Sequence, residues 1–187
     1  RKVKLPENIT SIELSLFENC SNLEEIDIPD GVTSIGLYAF QFCNSLERVK
    51  LPRNLEKILR CAFYGDEHLM KLEIPEGVTL IDEAAFSNCN SLYEIVNKSA
   101  LELTIGGNDN GCVAKYVKVL ETADGTVTYI EDGRIYVRTP EKFVFYNDGT
   151  NNILSAYMGD AEEITLPRDY QGEPYRIRAF RGGKSVI

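Results

Sequence analysis

The chain has 187 residues, 43% hydrophobic and 26% charged, a balance that excludes an intrinsically disordered or collagen-like protein and leaves ample material for a buried core. A net charge of −9 argues against a nucleic-acid partner, because neutralising phosphates needs a concentrated basic surface. No apolar run reaches the roughly 20 residues of a membrane-spanning helix, and one histidine with no tryptophan leaves little for catalysis.

The chain opens on Arg1-Lys2-Val3-Lys4-Leu5-Pro6, which lacks the apolar stretch of a secretory signal and resembles the internal Arg48-Val49-Lys50-Leu51-Pro52. This similarity predicts a chain that begins inside a repeat of a longer protein. Self-comparison gives a period of 23 over four ungapped units, residues 5–27, 28–50, 51–73 and 74–96. Each unit opens on Leu5, Ile28, Leu51 or Ile74, followed by Pro6, Pro29, Pro52 or Pro75. Further in, Ile12, Ile35, Ile58 and Ile81 recur, then Phe17, Phe40, Phe63 and Phe86, then Leu23, Leu46, Leu69 and Leu92.

Alternation around Ile26 and Ile28 suits a short strand with these two inward and Glu25 and Asp27 outward. The proline, which lacks a ladder N–H, ends that strand. Asn8, Gly31, Asn54 and Gly77 follow, types that tolerate positive φ in a tight turn. A second extended piece such as 32–35 and a turn holding the Ala39-Phe40 pair complete the coil. One coil cannot bury its apolar side alone, so stacked coils share a core with the four phenylalanines piled inside.

The motif Ile28-Pro-x-x-Val32-x-x-Ile35-Gly36-x-x-Ala39-Phe40-x-x-Cys43-x-x-Leu46-x-x-Val49 resembles the BspA-like, or treponemal-type, leucine-rich repeat family over roughly residues 1–96. Leu16 departs from the Ala-Phe pair and Asp66 from the cysteine position. The resemblance implies a curved, right-handed β-rich solenoid in a secreted or cell-surface protein of bacteria or some protozoa. It also implies binding or adhesion, with no catalytic residues to carry over.

Beyond Val96 the period is lost. Residues 101–106 read as one more strand, Asn108-Asp109-Asn110-Gly111 as a turn, and 112–120 as a short helix. Strands are expected at 126–130, 134–138, 142–146, 153–157 and 163–166, with Asp132-Gly133 and Asp148-Gly149 as hairpin turns. This is a small antiparallel meander, after which Leu166-Pro167 and Tyr175-Arg-Ile177-Arg-Ala179-Phe180 partly return to the repeat. The expected division is 1–96 for the solenoid, 97–162 for the interruption and 163–187 for a truncated further repeat.

Candidate chemistry is sparse. Cys20, Cys43 and Cys89 share one repeat position and read as a ladder of buried thiols whose parallel side chains do not aim at one another; Cys61 and Cys112 stand apart. A zinc site would need four converging ligands, which this ladder does not supply. His68, required by any Ser-His or Cys-His device, lies in the charged turn Gly65-Asp66-Glu67-His68. Glu24-Glu25 and Glu162-Glu163 sit in ordinary strand-edge sequence, and the Asn/Asp/Gly runs lack the ligand spacing of a calcium loop. Asn8, Asn19 and Asn97 head Asn-x-Ser/Thr triplets.

The outward strand row carries more interest. Down the stack it reads Glu25 and Asp27, Arg48 and Lys50, Lys71 and Glu73, Glu94 and Val96. Parallel stacking pairs Glu25 with Arg48, Asp27 with Lys50, Lys50 with Glu73 and Lys71 with Glu94, opposite charges that stabilise neighbouring strands. The row is therefore either self-paired or a mixed-charge binding face. Phe42 and Tyr64, at or beside turn positions held by Asn in other copies, are the aromatic candidates for contact with a ligand.

The expected function is a non-catalytic module recognising a protein or glycan on a host or neighbouring cell surface. The alternative is a structural stalk displaying other domains. No cofactor, metal, nucleic acid or membrane span is expected of this chain, and the isolated fragment is expected to be monomeric.

Overall fold

Every outward-inward alternation repeated at 23 residues becomes a strand stacked on its counterpart in the next coil. The computed structural model describes residues 1–161 and 164–178, in two units, Arg1–Ala123 and Asp124–Ile187. In the first, β1 (Lys2–Lys4), β3 (Glu25–Asp27) and β5 (Arg48–Lys50) form one parallel ladder. A second parallel ladder runs through β2 (Ser11–Ile12), β4 (Ser34–Ile35), β6 (Lys57–Ile58) and β8 (Leu80–Ile81). β7 (Lys71–Ile74) and β9 (Glu94–Asn97) pair in parallel with each other. Register follows the repeat, with Glu25 opposite Arg48, Ile35 opposite Ile58 and Lys71 opposite Glu94. The first unit is a β-solenoid.

Its core is the repeat read vertically. Phe17, Phe40, Phe63 and Phe86 stack with centroid spacings of 5.2, 5.0 and 5.0 Å and near-parallel rings. That spacing matches the rung separation of about 4.8 Å between hydrogen-bonded strands. Phe40, Phe63 and Phe86 are fully buried, whereas Phe17, in the first coil, is half-buried. The turn after each proline closes by a bond such as Val32 N–H to the Pro29 carbonyl, 3.0 Å.

Four local expectations change. Positive φ does not fall at Asn8, Gly31, Asn54 and Gly77; it falls at Ser15, Tyr38, Cys61 and Ala84, and again at Asn19, Phe42, Gly65 and Asn88. Gly31 is required instead by close approach, since a Cβ there would stand 2.9 Å from the Ile9 carbonyl oxygen. Nor does the coil end at Val96. Residues 101–106 form no strand; Leu101, Leu103 and Ile105 pack irregularly against the core. The helix expected over 112–120 is replaced by a single turn, α1 (Asp109–Cys112), broken by left-handed Asn110 and Gly111, and by strand β10 (Val119–Thr122). β10 pairs in parallel with β9, and Phe86 N–H donates to the Gly111 carbonyl as Phe63 N–H does to Ala85. Gly111 is needed there because a Cβ would stand 2.5 Å from the Asp82 carbonyl oxygen. One further rung thus continues the solenoid without the repeat sequence.

In the second unit, β11 (Val127–Glu131), β12 (Arg134–Arg138), β13 (Phe143–Asn147) and β14 (Asn152–Tyr157) pair antiparallel in order, and β15 (Tyr175–Ile177) joins β14 in parallel. Phe143, Phe145 and Leu154 form its core, with Phe145 stacked on Tyr170 at 4.2 Å. The Asp148 carboxylate accepts the N–H groups of Thr150 and Asn151, so this run serves the turn. Residues 164–166 are not a strand. Glu162-Glu163, the Ala179-Phe180 echo and residues 181–187 lie outside the described residues. Among the described residues no helix is long and apolar enough to cross a membrane.

Candidate surface on the strand row of the solenoid

The outward row is largely self-paired. Arg48 Nη1 lies 2.9 Å from Glu25, and Lys2 Nζ lies 3.5 Å from Glu25 and 2.7 Å from Asp27. Lys71 Nζ meets Glu94 at 2.7 Å, and Lys98 Nζ meets Glu73 at 2.6 Å. The bond to Asp27 raises the Lys2 ammonium, and the bond to Lys2 lowers the Asp27 carboxyl; the Glu94 bond raises Lys71 in the same way. Two expected pairs do not form. Asp27 is taken by Lys2 and Glu73 by Lys98, so Lys50 makes no ion pair among the described residues. Val96 occupies the last outward position.

The ladder beneath this row is interrupted. β5 and β7 lie side by side, yet they belong to separate hydrogen-bonded sheets. Over the break lies a groove of about 410 Å³ bordered by Arg48, Val49, Met70, Leu72, Glu73 and Tyr93. Met70 is 42% exposed and Tyr93 40%. Sequence reasoning missed both, although a signal was present: they occupy the repeat position held by Glu24 and Glu47 in the first two copies.

Phe42 and Tyr64 meet each other rather than the strand row. Their rings stand edge to face at 5.5 Å, and the Tyr64 hydroxyl accepts from Asn88 Nδ2 at 2.9 Å. Phe42 holds φ +59 where two other coils use asparagine, and its ring covers Gly65, whose Cβ position lies 2.6 Å from Phe42 Cδ1. The pair is thus a strut between coils that still leaves Phe42 40% exposed.

The thiol ladder is internal. Cys43 Sγ donates to the Phe17 carbonyl and Cys89 Sγ to the Phe63 carbonyl, both at 3.1 Å. Burial pushes the Cys43 thiol up to about 12 and that of Cys89 higher, so neither is a ready nucleophile. All five cysteines are free. Denaturation midpoints with and without reductant are therefore expected to coincide; a marked fall under reduction would reveal a structural disulfide. Asp66, in the same ladder, is fully buried and accepts the Cys43 N–H at 2.9 Å. His68 sits exposed in its turn with its ring against the Asn44 carbonyl. Among the described residues no group of three or more His, Cys, Asp or Glu side chains could hold a metal ion.

Comparison with known proteins places this geometry. The BspA type leucine rich repeat region matches residues 1–106 in six copies. A pneumococcal vaccine antigen, PcpA, is similar in structure, with a TM-score of 0.55 and 24% identity over 65% of this chain and 30% of that one. A leucine-rich repeat protein of Bacteroides capillosus is 31% identical over 51% of this chain and 75% of that one, TM-score 0.48. One from T. pallidum is 24% identical over 64% and 68% respectively, TM-score 0.46. Curated proteins give no match. This chain spans under a third of the pneumococcal antigen's length, 30%. With its 23-residue rungs, its phenylalanine stack and the match over residues 1–106, the chain belongs to the BspA type leucine-rich repeat family.

Proposed function

We propose that the chain is a non-catalytic binding or adhesion module of a secreted or cell-surface protein, meeting a protein or glycan on a host or neighbouring cell. The carrying observation is the strand face of the solenoid, where Met70 and Tyr93 stay exposed just before their strands and Lys50 of the outward row makes no ion pair among the described residues. Stacked coils repeat such contacts along one face, so several weak contacts add together. The pneumococcal vaccine antigen among the structural relatives is in keeping with this reading. Binding through a row of mixed sign should depend only moderately on salt.

A pull-down from host-cell surface extracts, with the native chain against Lys50→Glu and Phe42→Ala, tests this reading. Native capture weakened in at least one variant is the expected result. No capture, or equal capture by all three, favours the second reading, a structural stalk, which the internal pairing of Glu25, Asp27, Arg48, Lys71, Glu73 and Glu94 supports.

A further inference from the structure

The interrupted ladder leaves a definite set of main-chain groups without strand partners. In a parallel ladder, alternate residues of a strand bond to opposite neighbours. Arg48 N–H donates to the Glu24 carbonyl and the Lys50 carbonyl accepts from Ile28, so Arg48 and Lys50 face β3. Val49 therefore turns its N–H and C=O toward β7. On the other side Glu94 N–H donates to the Met70 carbonyl and Lys98 N–H to the Ile74 carbonyl, which sets Met70, Leu72 and Ile74 toward β9 and Lys71 and Glu73 toward β5. No ladder bond crosses the gap between them. Val49 also departs from its repeat position: it is half-buried, while Ile26, Leu72 and Ile95 are 1%, 2% and 0% exposed.

We propose that this break is a binding site for an uncharged oligosaccharide. The proposal rests on the surface-binding reading above and narrows it to one ligand class. Three observations carry it. The gap presents N–H donors and C=O acceptors together, and a sugar hydroxyl serves both at once. Of the ionic side chains at its rim, Arg48 pairs with Glu25, Lys71 with Glu94 and Glu73 with Lys98, and among the described residues only the exposed Glu47 has no ion pair, so the groove offers no free cation to an anionic ligand. Tyr93 and Met70 supply the exposed apolar surface against which a sugar's C–H face packs, with Lys71 Nζ 5.9 Å from the Tyr93 centroid. The groove's 410 Å³ falls within the usual range for small-ligand sites, about 300–1,000 Å³. An inserted peptide strand is the poorer occupant. It needs two ladder spacings, about 9.6 Å, whereas Cα atoms across the break approach within 8 Å; a saccharide instead lies over the break in the groove and reaches the main-chain groups with single hydroxyls.

The test uses the whole chain. In the free protein, amide hydrogen exchange at Val49, Leu51, Lys71 and Glu73 should be fast beside that of Arg48 and Leu72; equal protection would overturn the break itself. An array of neutral glycans that includes maltohexaose, cellohexaose and chitohexaose should yield binders that shift those four amides. Tyr93→Ala and Met70→Glu should each weaken such binding about tenfold, the scale of losing one stacked contact. Capture of no neutral glycan at millimolar concentration, amide shifts elsewhere, or preference for a sulfated glycan or an extended peptide would each overturn the proposal. A chain that captured a host protein through Lys50 or Phe42 but no neutral glycan would sink this inference and leave the broader reading standing.

Discussion

Phe63→Ala is expected to cost about 3–5 kcal/mol, the range for removing a large buried aromatic whose site cannot collapse. Phe63 has a stacked ring 5.0 Å away on each side, and it is fully buried. Both neighbours are fixed by their own rungs, through Phe40 N–H to the Ala62 carbonyl and Phe86 N–H to Gly111. They cannot close on the void without breaking those bonds. The loss is comparable to the whole stability of many domains, about 5–15 kcal/mol, so the solenoid should melt far lower or open at its middle. Phe17→Ala should cost clearly less, because Phe17 is half-buried and has a single stacked partner, 5.2 Å away. Thermal denaturation of the two variants checks this. An unchanged midpoint for Phe63→Ala, or equal losses for both, would refute the load sharing implied by the stack.

What the sequence disclosed is what repeats. The register of Glu25 on Arg48, the phenylalanine stack and the two strands per coil all follow from residues recurring at one interval, because identical rungs superpose identical side chains. What it concealed depends on relations between coils that composition does not encode. Arg48-Val49-Lys50 and Lys71-Leu72-Glu73 carry the same alternation, yet the bonds between them are absent. The partner of Lys50 was misjudged because Lys98, outside the repeat, claims Glu73. The extra rung at β10 was hidden because the irregular run after Asn97 shifts the period and Gly111 replaces the alanine. Left-handed Tyr38 and Phe42 gave no warning, since neither residue type favours that conformation.

A buried carboxyl in the thiol ladder should make this fold less stable as pH rises. Asp66 is fully buried between the second and fourth coils, where Cys43 and Cys89 occupy its position, and burial pushes its carboxyl up to about 9. One oxygen accepts the Cys43 N–H; the other has no partner. The folded chain therefore holds a proton that the unfolded chain releases near pH 4. Asp66 is least harmful below that value, and its penalty grows as pH rises toward 9, by about 1.4 kcal/mol per pH unit at most. Asp27, Asp30 and Asp148 act in the opposite sense, being held low by their hydrogen-bonded partners and losing their contribution only in acid. Between pH 5 and 8 the Asp66 effect stands apart from theirs. Asp66→Cys restores the ladder residue and supplies a thiol that stays neutral, as Cys43 does. The variant should match the native chain near pH 4 and exceed it by about 2–4 kcal/mol at pH 8, the cost of an ionised or forcibly protonated buried acid. Denaturant titrations of both proteins at several pH values measure the difference directly. A constant difference across that range would mean that Asp66 does not hold its proton in the core, and a less stable variant at pH 8 would mean that the Cys43 N–H to carboxyl bond outweighs the burial of the acid.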